Sequence, residues 1–190
     1  MFALIQPFIN LLLFRVGPQD MPSSKTVLKI AIAACFITDI IQKAEFYGFT
    51  ISFIQSAGKI ALYSGFIFLL LNSKQNKQRW MQTMIALLGA SALLNLASYP
   101  FIPDLEQILV DLNEQRFVIE PGMLIYDAIQ LWFFAVFIRI LRDALGISTG
   151  RAAIQTLIII ILTITVLSTL IGAFGLSHTE LSIDDFSQHG

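Results

Sequence analysis

Three ionisable side chains stand inside long apolar runs: Asp39, Lys59 and Asp127. A charge in a hydrocarbon layer is costly, so such groups pair, meet an ion or lie against water. Two carboxylates and one amine give a net charge of −1 (one minus two), which leaves one carboxylate without a basic partner. That group is free to be protonated, to be solvated or to meet an incoming cation. The helical rise of about 1.5 Å per residue sets the depth of each. Asp39 then lies about 8 Å inside the end of its run, Asp127 about 7 Å inside the start of its own, and Lys59 roughly 12 Å deep. Asn95 and Gln55 fall at a similar level, with Gln42, Tyr126 and Gln130 close by. This polar layer has two readings. It is interhelical glue, at about 0.6 kcal/mol for a typical hydrogen bond, or it is a ligand or ion site. The candidates for such a site are Asp39, Lys59, Asn95, Asp127, Gln55 and Gln130. At least three of Asp39, Lys59, Asn95 and Asp127 are then expected to face one cavity.

No other chemistry is spelled out along the chain. There is no H-E-x-x-H, no G-x-S-x-G, no G-x-x-x-x-G-K-[ST] and no Cys/His pair at metal-ligand spacing. The two histidines, His178 and His189, lie in a polar tail without nearby partners. The single cysteine, Cys35, is read as a small side chain buried or facing lipid. Neither a catalytic residue, a metal nor a cofactor is expected.

The least generic local string is Arg15-Val16-Gly17-Pro18-Gln19-Asp20-Met21-Pro22-Ser23-Ser24. Pro18 and Pro22 interrupt helix, Gly17 permits a sharp bend, and Ser23 or Ser24 is suited to cap the next helix. Arg15 and Asp20 are spaced to close a salt bridge across the turn. The simplest reading is a structural turn. The string resembles that of small bacterial inner-membrane proteins carrying R-x-G-P-Q-D-x-P-x-S before their first span. Arg15, Gly17, Pro18, Gln19, Asp20, Pro22 and Ser24 match it. The layout is also similar to that of the Yip (Ypt-interacting protein) family. The eukaryotic members of that family have Asp-x-x-Gly-Pro after a long cytoplasmic arm, whereas this chain has Arg15 near that place and almost no arm. The resemblance implies a non-enzymatic multi-pass protein with an assembly or trafficking-like role.

The elements that must position these residues follow from composition and charge. The chain is 56% hydrophobic and 13% charged over 190 residues, with a mean hydropathy of +0.74; soluble domains average about 25% charged. Apolar runs over 27–44, 51–71, 80–101, 123–141 and 152–176 are read as five transmembrane helices. The gaps between them are sorted by sign. Nine of the 12 Lys and Arg residues lie in one alternate set or within three residues of it, and nine of the 13 acids lie in the other. Basic residues near span ends stay on the cytoplasmic side, so the N-terminus is expected inside and the C-terminus outside. Asp20 and Asp143 inside, and Lys43 and Arg116 outside, also depart from the sorting. Residues 2–14 are too short to cross and read as an interfacial helix in the cytoplasmic leaflet, bent at Pro7. Leu105, Ile108, Leu109 and Leu112 predict an amphipathic helix in the outer loop. In the third run Ala86, Gly89 and Ala90 suit close helix contact. In the fifth, Thr156, Thr163, Thr165, Ser168 and Thr169 are expected to bond back to their own helix.

The fold class is therefore all-α, one integral membrane domain over 1–176 with a polar tail over 177–190. The leading function is an accessory, scaffold or trafficking-like component of the bacterial inner membrane. A small ion-coupled carrier is the alternative, although the halves show no inverted repeat. A lipid-modifying enzyme with a carboxylate base is a second. The expected partners are the lipid bilayer and another membrane protein or a second copy. A basic patch with interleaved aromatics is missing, so nucleic acid is not expected.

Overall fold

A computed structural model describes residues 2–102 and 121–173. The expected outer-loop helix, the 177–190 tail and both histidines lie outside the described residues. The rest is helical, with no strand among the described residues. Helix α1 spans Phe2–Leu12, α2 Lys25–Ser73, α3 Trp80–Ser98, α4 Pro121–Leu145 and α5 Thr149–Ala173. Short 3-10 turns cover Pro18–Asp20, Lys77–Arg79 and Tyr99–Phe101.

Four stretches are long and apolar enough to cross a membrane: Phe46–Ser73, Lys77–Phe101, Pro121–Leu145 and Thr149–Ala173. The expected first crossing, 27–44, is helical but is not one of these. Lys29, Asp39 and Lys43 dilute its apolar character. Leu69, Leu96, Leu131, Ile154 and Ile164 are each at least 60% exposed around the bundle. A monomer that turns this much apolar surface outward is built for lipid.

Helix α2 is two helices joined at Gly48, where φ is 73° and ψ is 164°. That conformation is nearly restricted to glycine, because a Cβ there strains the backbone. The break folds residues 25–47 back along 49–73. Asp39 and Lys59 lie about 14 and 17 Å from the hinge by helical rise, yet they touch. The two halves therefore run side by side.

Helix α3 is the hub. Of its apolar window 56% is buried, against 22% or less for the other three. Met84, Ile85, Ala86, Leu87 and Leu88 pack with Ile67 and Leu71 of α2 and with Phe137, Ile140 and Leu141 of α4. Helix α1 uses the same hub. The Phe8 ring covers Gly89, where it occupies the place a Cβ would take. Gly89 is about 14 Å along α3 from Trp80 at the helical rise, so α1 reaches further into the bundle than a helix lying on its surface. The small-residue stripe thus makes a close contact, with α1. Pro7 sits inside α1 without ending it.

Three helices close in the same way at one end of the bundle, called here the basic end. Arg15 N–H donates to the Asn10 carbonyl at 2.8 Å, Asn76 N–H to that of Leu71 at 2.8 Å, and Ile147 N–H to that of Arg142 at 3.2 Å. The residue before each donor is left-handed: Phe14 (φ 57°), Gln75 (φ 57°) and Gly146 (φ 64°). This closure satisfies terminal carbonyls. It is unfavourable for a bulky aromatic, and packing holds Phe14 there. Its ring lies 5.0 Å from that of Trp132, and the Arg139 guanidinium lies 5.8 Å from its centre.

Candidate functional site

The side-by-side halves of α2 enclose one carboxylate. Asp39 is 2% exposed. Its Oδ2 accepts from Ser56 Oγ at 2.7 Å and from Lys43 Nζ at 2.9 Å. Its Oδ1 accepts from Lys59 Nζ. The local arithmetic is two amines and one carboxylate, so the cluster carries +1. The count of −1 from sequence combined Asp39, Lys59 and Asp127. The structure replaces Asp127 with Lys43: Asp127 is exposed on α4 and forms no ion pair among the described residues. Tyr126, beside it, is within electrostatic reach of Asp39 and Lys59.

A second polar link ties the cluster to the hub. Gln42 Nε2 donates to Ser98 Oγ at 2.5 Å, and Ser98 donates to the Asn95 carbonyl at 3.1 Å. Ser52, one turn before Ser56, is fully buried with its Oγ unpartnered, and Asn95 Nδ2 is buried and unpartnered likewise. Gln55 and Gln130 are half-buried. The sequence-predicted residues thus divide. Asp39 and Lys59 are in contact, Asn95 is linked through Ser98, and Asp127 stands apart. Lys43 and Ser56 join the cluster and were not foreseen. A signal for Lys43 existed: it is one turn after Asp39, the spacing at which helical side chains meet. Ser56 becomes visible only once the fold at Gly48 is known.

The cluster suits ionic and hydrogen-bonded locking. Among the described residues no group of His, Cys, Asp or Glu is arranged to hold a metal. On α5, Thr169 Oγ1 bonds back to the Thr165 carbonyl at 2.8 Å as expected. Thr156 and Thr163 do not: both point inward with Oγ1 unpartnered.

The 15–24 string forms a docked turn. Asp20 Oδ2 accepts from Gly17 N–H at 2.8 Å. The expected Arg15–Asp20 bridge is absent among the described residues: both side chains are exposed, and the Asp20 carboxylate caps the Gly17 N–H instead. Pro18 opens the 3-10 turn and is buried. The Gln19 side chain folds over Gly17, with its carboxamide about 2.5 Å from where a Cβ would stand. Gln82 Nε2 of α3 donates to the carbonyls of Gln19 and Met21, both at 3.0 Å, and Met21 is buried. Trp132 Nε1 of α4 donates to the Leu12 carbonyl at 3.1 Å. Pro22 is exposed, and Ser24 takes the N-cap position of α2 without a side-chain cap bond. The string is thus the piece that pins α1 and the start of α2 onto α3 and α4.

Four lipid-length helices, three of them around a buried α3, with an ion cluster inside, define an α-helical integral membrane protein. Compared with known proteins, the chain matches no family model, no curated protein and no solved structure.

Proposed function

We propose that this is a non-enzymatic multi-pass membrane protein acting as an accessory or scaffold component. The observation that carries the reading is the saturation of Asp39. A carboxylate that releases and rebinds a cation needs open coordination, whereas this one is already held by a hydroxyl and two amines. Ion pairing of this kind supports a fixed packing arrangement more than a transport step. The fixed turn at 15–24 agrees, since it immobilises a surface instead of leaving a mobile arm. In this reading the basic end faces the cytoplasm, which the charge sorting supports, residues 25–47 form a fifth crossing, and the resemblance supports the inner membrane of a bacterium as the location. The resemblance of the 15–24 string to small bacterial inner-membrane proteins, and of the layout to the Yip family, supports the same assembly role.

Isolation in mild detergent tests the proposal. A stoichiometric membrane-protein partner or a stable homo-oligomer is expected. A solitary monomer in every mild detergent would contradict it.

A second reading, a small ion-coupled carrier, has one observation in its favour. Ser52 Oγ and Asn95 Nδ2 lie unpartnered one turn from Ser56 and Ser98, and such groups are usable by a passing ligand. Proteoliposome flux that disappears in Asp39→Asn at unchanged folding would favour the carrier. Flux that is absent, or unaffected by the substitution, would remove it.

A further inference from the structure

The basic end carries a cleft that the ion cluster does not touch. Three separate parts of the chain converge on it. Gln19 comes from the docked turn, Arg79 from the junction into α3, and Arg139, Arg142 and Asp143 from the end of α4. Its volume is about 600 Å³, and it is open to the surroundings. Asp143 bridges two of the arginines: Arg139 Nε reaches its Oδ2 at 2.8 Å, and Arg142 Nε its Oδ1 at 2.8 Å. Arg79 is exposed and has no carboxylate partner among the described residues. Three guanidinium groups less one carboxylate leave the cleft at +2.

Helix-end electrostatics account for only part of this. A cation in the last turn of α4 complements the helix dipole, which covers Arg142. It covers neither Arg79, from a different element, nor the bracing of Arg139 between Asp143 and the Phe14 ring. Guanidinium forks held in place match oxyanions in two-point fashion. The open fork of Arg79, the guanidinium N–H groups of Arg139 and Arg142 that Asp143 leaves over, and the Gln19 carboxamide on the rim together offer more donors than a second carboxylate accepts. A phosphate supplies the additional acceptor oxygens.

We propose that this cleft binds a phosphate group, carried by an anionic phospholipid headgroup or by a soluble phosphate ester. The proposal rests on the cleft and is independent of the accessory reading. Full-length protein is reconstituted in nanodiscs of mixed phosphatidylglycerol and phosphatidylcholine, and the retained lipid is read by native mass spectrometry. The same protein in phosphatidylcholine nanodiscs is titrated with glycerol 3-phosphate by calorimetry. Selective retention of phosphatidylglycerol identifies the lipid source; saturable glycerol 3-phosphate binding without lipid preference identifies the soluble one. Arg79 is exposed and has no ion-pair partner among the described residues, so Arg79→Gln keeps the fold and is expected to weaken whichever is observed about tenfold, the effect of losing one charged hydrogen bond. Asp143→Asn frees two forks and is expected to tighten binding several-fold. Binding of neither probe overturns the proposal, as does binding that Arg79→Gln leaves unchanged.

Discussion

Asp39 is the residue on which the inner packing converges, and its neighbours set what each substitution does. Lys59 and Lys43 approach it from opposite sides of the hinge, so removing the carboxylate leaves two amines facing each other. In the docked turn, Asp20 and Gln82 hold backbone groups. Asp20→Ala removes the acceptor of the Gly17 N–H and is expected to cost about 1 kcal/mol, the usual value of such a cap. Gln82→Leu leaves the Gln19 and Met21 carbonyls without their donor. It is expected to cost about 1–2 kcal/mol and to expose the 12–24 segment to limited proteolysis. Cleavage unchanged from wild type would mean that Gln82 does not hold the turn. Part of this was legible in the sequence. Asp39 and Lys59 stand out because a charge in an apolar run needs a partner. The Gly17-Pro18 bend is equally readable. Nothing in the chain points to Gln82, since a glutamine at a helix start is ordinary until the turn is seen beneath it. Asp20 was misassigned to Arg15 because spacing alone does not reveal that a backbone N–H lies closer.

At the scale of elements, two glycines decide the arrangement for different reasons. Gly48 supplies a backbone conformation, and a Cβ there meets open space. Gly48→Ala is therefore expected to cost about 1–3 kcal/mol through backbone strain alone, and no neighbouring truncation will rescue it. Gly89 supplies room. Gly89→Ala collides with the Phe8 ring and is expected to cost about 1–3 kcal/mol through overpacking. Phe8→Ala in the same chain should recover part of that loss. Chemical unfolding of the single and double variants separates the two cases; additive losses at Phe8 and Gly89 would mean that α1 does not pack there. The apolar runs over 51–71, 80–101, 123–141 and 152–176 correspond to the second half of α2, to α3 with the turn after it, to α4 and to α5. The role of α1 was hidden, because eleven apolar residues read as surface-seeking when the small-residue slot that receives them lies far along the chain.

The whole molecule is a bundle with a buried α3, lipid-facing outer helices, an ionic lock on one side and a basic cleft at one end. Its orientation is open to direct labelling. Single cysteines are placed at the exposed positions Ser23, Phe49 and Gln78 and at the half-buried Gly122 in a Cys35→Ala background. With five crossings, 49 and 122 react with an impermeant maleimide in intact cells, and 23 and 78 react only after permeabilisation. Reaction of 49 from the same side as 23 would mean that residues 25–47 do not cross. The central claim is that the buried charge cluster is a structural lock, and a double-mutant cycle over Asp39→Asn and Lys59→Met tests it most directly. The readout is SDS-driven unfolding in mixed micelles. Stranding a buried charge typically costs 3–5 kcal/mol, whereas removing both partners is far milder. The lock predicts that Asp39→Asn loses about 3 kcal/mol and that the double variant recovers much of it. Stability unchanged in Asp39→Asn, or losses that simply add, would contradict it.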